Sequence, residues 1–218
     1  MADLLSLLAP TPALPTKIVG IGRSYRDHAL ELGNPVPDEP LLFLKAPSAL
    51  LAHGGVVRLP AESERVDFEG EFALVVGRKL SRADPASALA GVLGVTLACD
   101  VTARDFQKRD RTFTRAKSID TFCPVGPRLV TDPDWDGLEL ETRVNGELRQ
   151  QGRALNLIWG FGALVSYASR YMTLEPGDLV LTGTPAGVGP LAAGDRVEIS
   201  SAQIGTLEFS VEGAVRWA

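Results

Sequence analysis

The sequence predicts an α+β fold rich in strands, a mixed sheet structure with a few flanking helices, on three observations. Segments with strand character outnumber helical ones. The two kinds do not alternate regularly, which disfavours a doubly wound parallel sheet. Gly-rich turns separate the strands of the last third, the spacing expected of neighbouring antiparallel or mixed strands.

In chain order, KIVGIG (17–22) and LLFLKA (41–46) read as short strands joined by a polar, Pro-rich connection from Gly33 to Pro40. VDFEGEFALVVG (66–77) reads as one long strand. Asp84 before Pro85 is a cap followed by a proline at the first helical position, so a short helix starts there. GVLGVTLACD (91–100) is a buried strand, and Thr102 to Arg109 looks helical. Asn145-Gly146 lies between alternating residues, a strong hairpin signal. Leu157 to Met172 is apolar at helical spacing, and DLVLTG, DRVEIS and IGTLEFSVEG supply three closing strands. With no repeat, charge block or linker, residues 1–218 are expected to form one domain.

The composition narrows the functional classes. A net charge of −5 leaves no basic face for phosphate neutralisation, which argues against nucleic acid as a partner. No apolar run is long enough to span a bilayer, and MADLLSLLAP lacks the basic start and cleavage site of a secretory signal, so a soluble, cytoplasmic protein is expected. Cys99 and Cys123 sit in apolar surroundings and read as buried free thiols. Against the acidic trend, residues 104–117 hold six basic and two acidic side chains. Such a run is usually a solvated face, and its functional alternative is a receptor for carboxylates.

Alternation in a strand projects Asp67, Glu69 and Glu71 to one side and Phe68 and Phe72 to the other. By itself this row reads equally well as a solvent-facing stripe. The same face continues into Ala73 and Val75, however, so the acids approach a region that wants burial, where like charges need a cation or protons. Asp100 ends the next buried run and is placed to converge on them. Three carboxylate oxygen donors favour a hard ion, Mg²⁺ or Mn²⁺, over zinc.

Of the two histidines, His28 has Glu31 three residues later; on a helix the carboxylate would orient the imidazole, and the plain alternative is an incidental exposed pair. His53, beside two glycines, reads as a loop residue without a role. Arg104, Gln107 and Lys117 follow Asp100 closely and would suit a 2-oxo-acid carboxylate and a developing enolate. Lys45, at a strand end, is a further candidate for the same task, or a solubilising edge residue. LTGTPAGVGP lacks the Gly-Lys-Ser/Thr ending of a phosphate loop, but Thr182 and Thr184 offer hydroxyl and N–H groups to an anion. No Gly-x-Ser-x-Gly occurs, which disfavours a serine hydrolase.

The ordered blocks GIGRSYRDHALE, LFLKAPSAL, DFEGEFALVVG, ACDVTARDFQ, AKSIDTFCPVGP, VNGELRQ and GDLVLTGTPAGVGP resemble the catalytic domain of the fumarylacetoacetate hydrolase family over a core of residues 17–211, with 1–16 as an N-terminal extension. The resemblance implies the family's mixed β-roll, a homodimer, and Mg²⁺ or Mn²⁺ held by Glu69, Glu71 and Asp100. It implies His28 and Glu31 as a dyad on a lid, with Arg104, Gln107, Lys117 and Thr184 around an oxo-acid. Ser24 departs from the Asn that members often carry there, which would alter a hydrogen bond near the lid. The expected reaction is hydrolysis of a C–C bond in an acylpyruvate-type 2,4-dioxo acid, with His28 and Glu31 activating water and Lys117 steadying the departing enolate. Tautomerisation or decarboxylation of oxaloacetate and isomerisation of 2-hydroxyhepta-2,4-diene-1,7-dioate share the same carbanion and are the alternatives. A metal-stabilised binding protein and a purely structural protein are the more remote ones.

Overall fold

Runs of β-branched and aliphatic residues organise the chain around a seven-stranded mixed sheet. The computed structural model of the protein describes residues 14–31, 33 and 36–215. The order across the sheet is β2 (Leu41–Lys45), β1 (Ile18–Gly22), β12 (Leu179–Leu181), β6 (Gly70–Val76), β7 (Val92–Cys99), β9 (Cys123–Val130) and β3 (Leu50–Ala52). The pairs β1/β12 and β3/β9 are parallel, and the others are antiparallel. Every residue of β6 is buried. Alternation sends Phe72, Leu74 and Val76 into one apolar core and Ala73 and Val75 into a second on the opposite face, so the strand is covered on both sides.

A five-stranded sheet, β11 (Glu147–Arg153), β10 (Glu139–Val144), β14 (Arg196–Ser201), β15 (Gly205–Val215) and β4 (Val56–Pro60), supplies Leu140, Val197, Ile199, Leu207 and Phe209 to the larger core. A small three-stranded sheet of β13 (Gly189–Pro190), β5 (Val66–Phe68) and β8 (Thr102–Ala103) lies at the end of β6. The helices are short: α1 (Arg26–Glu31), α2 (Pro85–Leu89), α3 (Arg104–Arg109), α4 (Thr114–Lys117) and α5 (Phe161–Tyr171). Among the described residues, no helix is long and apolar enough to cross a membrane.

Several local expectations hold. Asp84 caps α2, its carboxylate accepting from the N–H groups of Ala86 and Ser87 at 3.0 Å each. Asn145 and Gly146 both take positive φ, 54° and 81°, and join β10 to β11 as a tight hairpin. Other expectations need correction. The strand anticipated over 66–77 breaks at Glu69 into β5 and β6. At the break the Gly70 N–H turns to the Gln150 side chain at 2.9 Å, and a Cβ at Gly70 would collide with the Thr142 hydroxyl. Thr102 and Ala103 pair with β5, so helix α3 begins only at Arg104. The helix anticipated from Leu157 begins at Phe161, because Leu157 is held in an antiparallel bridge to Tyr25 and Gly160 takes an extended capping conformation. Strands β3, β4 and β9 had no anticipated counterpart.

Candidate functional site

The break at Glu69 is what assembles the acids. Gly70 pairs with Cys99 across β6 and β7, and the Asp100 N–H donates to the Glu69 carbonyl at 2.8 Å, so Glu69 and Asp100 face each other where the two strands end. Glu71 follows on β6. One oxygen from each of Glu69, Glu71 and Asp100 lies within 4.8 Å of the others, and all three side chains are buried. Asp67, expected on the same face, turns instead to Arg65 (2.9 Å) and Arg104 (2.8 Å).

Three buried cations, Lys117, Lys45 and Arg104, surround the acids. Lys117 gives its ammonium to Asp100 Oδ2 at 2.5 Å, to Glu69 Oε2 at 3.0 Å and to the Thr102 hydroxyl at 2.8 Å. An ammonium has three protons, so none is left. Lys45 donates to Asp100 Oδ1 at 2.6 Å. Unlike Lys117, it is not among the residues that line the cavity described below. Arg104 uses Nε on Asp67 and one terminal nitrogen on the Gln107 side-chain oxygen at 3.0 Å. Its other terminal nitrogen approaches Glu69 Oε1 to 2.6 Å but without hydrogen-bond alignment, so that contact is charge pairing alone.

Glu71 differs from its neighbours. Its one partner among the described residues is the Gly183 N–H at 2.6 Å. Burial pushes its carboxyl well above the usual range, and the charges of Asp100 and Glu69 push it further. Burial also raises Glu69, but Lys117 and Arg104 outweigh that and hold it well below the usual range. A buried carboxyl with no ion-pair partner among the described residues, beside two others, could hold a divalent ion. The all-oxygen donor set fits Mg²⁺ or Mn²⁺.

These groups form the floor of a cavity of about 330 Å³ whose walls include Leu41, Phe43 and Phe113. His28 enters from α1, buried, with Nδ1 3.1 Å from Glu31 Oε2; the other Glu31 oxygen accepts from the Gly187 N–H at 2.9 Å. The dyad therefore exists and is tied to the loop after β12. Gln107 lines the cavity from α3, and since its oxygen accepts from Arg104, its amide N–H₂ is the group left for a ligand. Thr184 also lines the cavity, yet its hydroxyl donates to the Gly70 carbonyl (2.8 Å) and accepts from Gln150 (2.7 Å), leaving its backbone and one lone pair. Thr182 is withdrawn: its hydroxyl donates to the Phe72 carbonyl at 3.1 Å. Cys99 and Cys123 are buried free thiols, and burial pushes the latter up to about 12.

Sequence reasoning marked Ser24 as a departure near the lid without finding its partner, and it gave no role to Gly183 or Gln150. Ser24 donates to the Thr182 carbonyl at 2.5 Å, pinning the entry to α1 against the loop that follows β12. Gly183 takes φ +93°, and a Cβ there would overlap the Ser24 hydroxyl, so glycine at 183 and a short residue at 24 fit together. Gln150 ties Gly70, Thr184 and Pro185 into one network. Its signal was weak, because a glutamine in a hairpin strand reads as surface.

The family model described as "Fumarylacetoacetate (FAA) hydrolase C-terminal" matches residues 17–212. The chain is 42% identical over 220 residues to oxaloacetate tautomerase YisK of Bacillus subtilis, covering 95% of this chain and 73% of the relative. Two crystal structures superpose closely. 5-Carboxymethyl-2-hydroxymuconate delta-isomerase from Mycobacterium smegmatis gives a TM-score of 0.87 at 44% identity, covering 94% of this chain and 82% of that one. 2-Hydroxyhepta-2,4-diene-1,7-dioate isomerase from Mycobacterium marinum gives 0.85 at 46%, covering 93% and 76%.

Proposed function

The chain belongs to the fumarylacetoacetate hydrolase family, a family of enzymes; on that premise we propose that it is a divalent-metal-dependent tautomerase or isomerase, moving a proton on the carbon beside the ketone of a 2-oxo acid. The observation that carries this reading is the buried meeting of Glu69, Glu71 and Asp100 on the floor of the cavity that His28 lines. The three relatives described above are named a tautomerase and two isomerases, which favours proton transfer over the hydrolysis expected from the sequence.

Glu69, Glu71 and Asp100 would hold Mg²⁺ or Mn²⁺, which when bound supplies Lewis-acid polarisation of the 2-oxo group and offsets enolate charge. The Gln107 amide would donate to the substrate's carboxylate or oxo oxygen, its orientation set by Arg104. With Nδ1 engaged by Glu31, His28 has an Nε2 that meets no hydrogen-bond partner among the described residues and would take the proton from the carbon beside the ketone and return it at the other end of the enol. Glu31 stabilises the imidazolium in between. Leu41, Phe43 and Phe113 keep water from the carbanion. A homodimer, as the resemblance implies, belongs to the same proposal.

Hydrolysis of an acylpyruvate is the second reading, favoured by the His28–Glu31 pair, which would serve equally to deprotonate a water. The decisive experiment follows decay of enol-oxaloacetate by absorbance and release of pyruvate from acetylpyruvate, with Mn²⁺ or with EDTA. Metal-dependent tautomerisation that falls about a hundredfold or more in His28→Ala supports the first reading. Acetylpyruvate cleavage with no effect on enol decay selects the second.

A further inference from the structure

The basic run 104–117 resolves into spent and unspent cations. Arg104 and Lys117 serve the buried acids, and Arg109 and Arg115 both approach Asp110. Lys108 and Arg111 enter no ion pair among the described residues, and of the two only Lys108 lines the cavity. Arg23 lines the same cavity, half-buried and likewise without an ion-pair partner among the described residues. It holds a left-handed φ of 58°, a conformation that is uncommon for a residue with a side chain.

The cavity therefore has two sets of positive charge. Arg104 and Lys117, both buried, are neutralised by carboxylates, whereas half-buried Arg23 and exposed Lys108 have no carboxylate partner among the described residues; Phe43, whose ring centre lies 4.7 Å from Lys117 Nζ, and Phe113 line the same cavity. A ligand gripped at the floor through its 2-oxo-acid end would lay its chain along the aromatic walls and bring its far end to these two cations. We propose that Arg23 and Lys108 are specificity-determining residues that bind the carboxylate remote from the ketone, selecting 2-oxo acids that end in a second carboxylate. This assignment rests on the oxo-acid reading above. It leaves the proton-transfer groups untouched and sets which chains are accepted.

The test compares binding of 2-oxoadipate and 2-oxohexanoate, equal in carbon number and differing only in the terminal carboxylate, by calorimetry on the Mn²⁺-loaded protein. Oxalate, too short to leave the floor, is the control. The wild type is expected to bind 2-oxoadipate about tenfold or more tighter than 2-oxohexanoate, with a preference that shrinks as salt is raised. Arg23→Met with Lys108→Met is expected to erase the preference while leaving oxalate and 2-oxohexanoate unchanged. Because Met at 23 must also accept a left-handed backbone, Lys108→Met alone serves as the second variant and should lose part of the preference. Retention of the full preference in the double variant, or its absence in a wild type that binds oxalate normally, overturns the assignment of these two residues alone. Failure of all three ligands to bind overturns the oxo-acid reading, and this proposal with it.

Discussion

Lys117 and Glu71 show how the same buried cluster treats two side chains in opposite ways. Lys117 spends all three protons on Asp100, Glu69 and Thr102, whereas Glu71 has one backbone N–H. Lys117→Met should destabilise the metal-free protein by about 3–5 kcal/mol, since it strips a buried ion pair and leaves carboxylates uncompensated. Urea denaturation in EDTA checks this, and added Mn²⁺ should restore part of the loss. Gly183→Ala should cost at least about 1–2 kcal/mol for its left-handed backbone, with the overlap onto Ser24 in addition. It should also weaken metal binding, because the Gly183 N–H is what holds Glu71. At this scale the candidate site was legible where residues lie close in the chain: His28 with Glu31, Glu69 with Glu71, Arg104 with Gln107. Contacts such as Ser24 to Thr182 or Gln150 to Gly70 join residues 158 and 80 positions apart, and no local pattern announces them.

Strands and helices carry these side chains by ending in the right places. β6 and β7 end together, so their register fixes Glu69 opposite Asp100, and β11 reaches in through Gln150 to hold both the break in β5–β6 and Thr184. Gln150→Ala should leave the Gly70 N–H without its side-chain acceptor and the Thr184 hydroxyl without a donor, a loss of about 1–3 kcal/mol. Its activity should fall more than its hairpin weakens, and turnover measured beside denaturation separates the two. The elements that could be read were those with strong local signals: the Asp84 cap, the Asn145-Gly146 hairpin and the apolar run of β7. β9 escaped because Pro124 and Pro127 argue against a strand, and β3 because three half-buried residues carry no period. Glycine at 70 could equally mark a bulge or a close approach, and only the packing of Thr142 decides for the latter.

On the scale of the whole molecule, the cluster couples stability to pH and to metal. Glu71 has a raised carboxyl, so above about pH 4.5, its unfolded value, the folded chain binds more proton than the unfolded one. Its contribution therefore erodes stability as pH rises toward the folded value. Glu69 has a lowered carboxyl, so its stabilisation is complete above the same point and is lost only as pH falls. The EDTA-treated protein should lose melting temperature as pH rises above about 4.5, and Mn²⁺ should raise it more as pH climbs, because the proton held by Glu71 opposes binding less and less. The strand-rich architecture was legible as a class from the number of strand runs and their irregular order. The two-sided burial of β6 was not, because a strand covered on both faces and one covered on one face differ only in what the rest of the chain brings to them.

The central claim is that Glu69, Glu71 and Asp100 form one site for a hard divalent ion, and titration of Mn²⁺ followed by electron paramagnetic resonance on the wild type and on Glu71→Gln tests it most directly. The account predicts one bound Mn²⁺ per chain, and an affinity at least about tenfold weaker in the variant with the fold intact. Equal affinity in the two proteins, or no bound Mn²⁺ in the wild type, would contradict it.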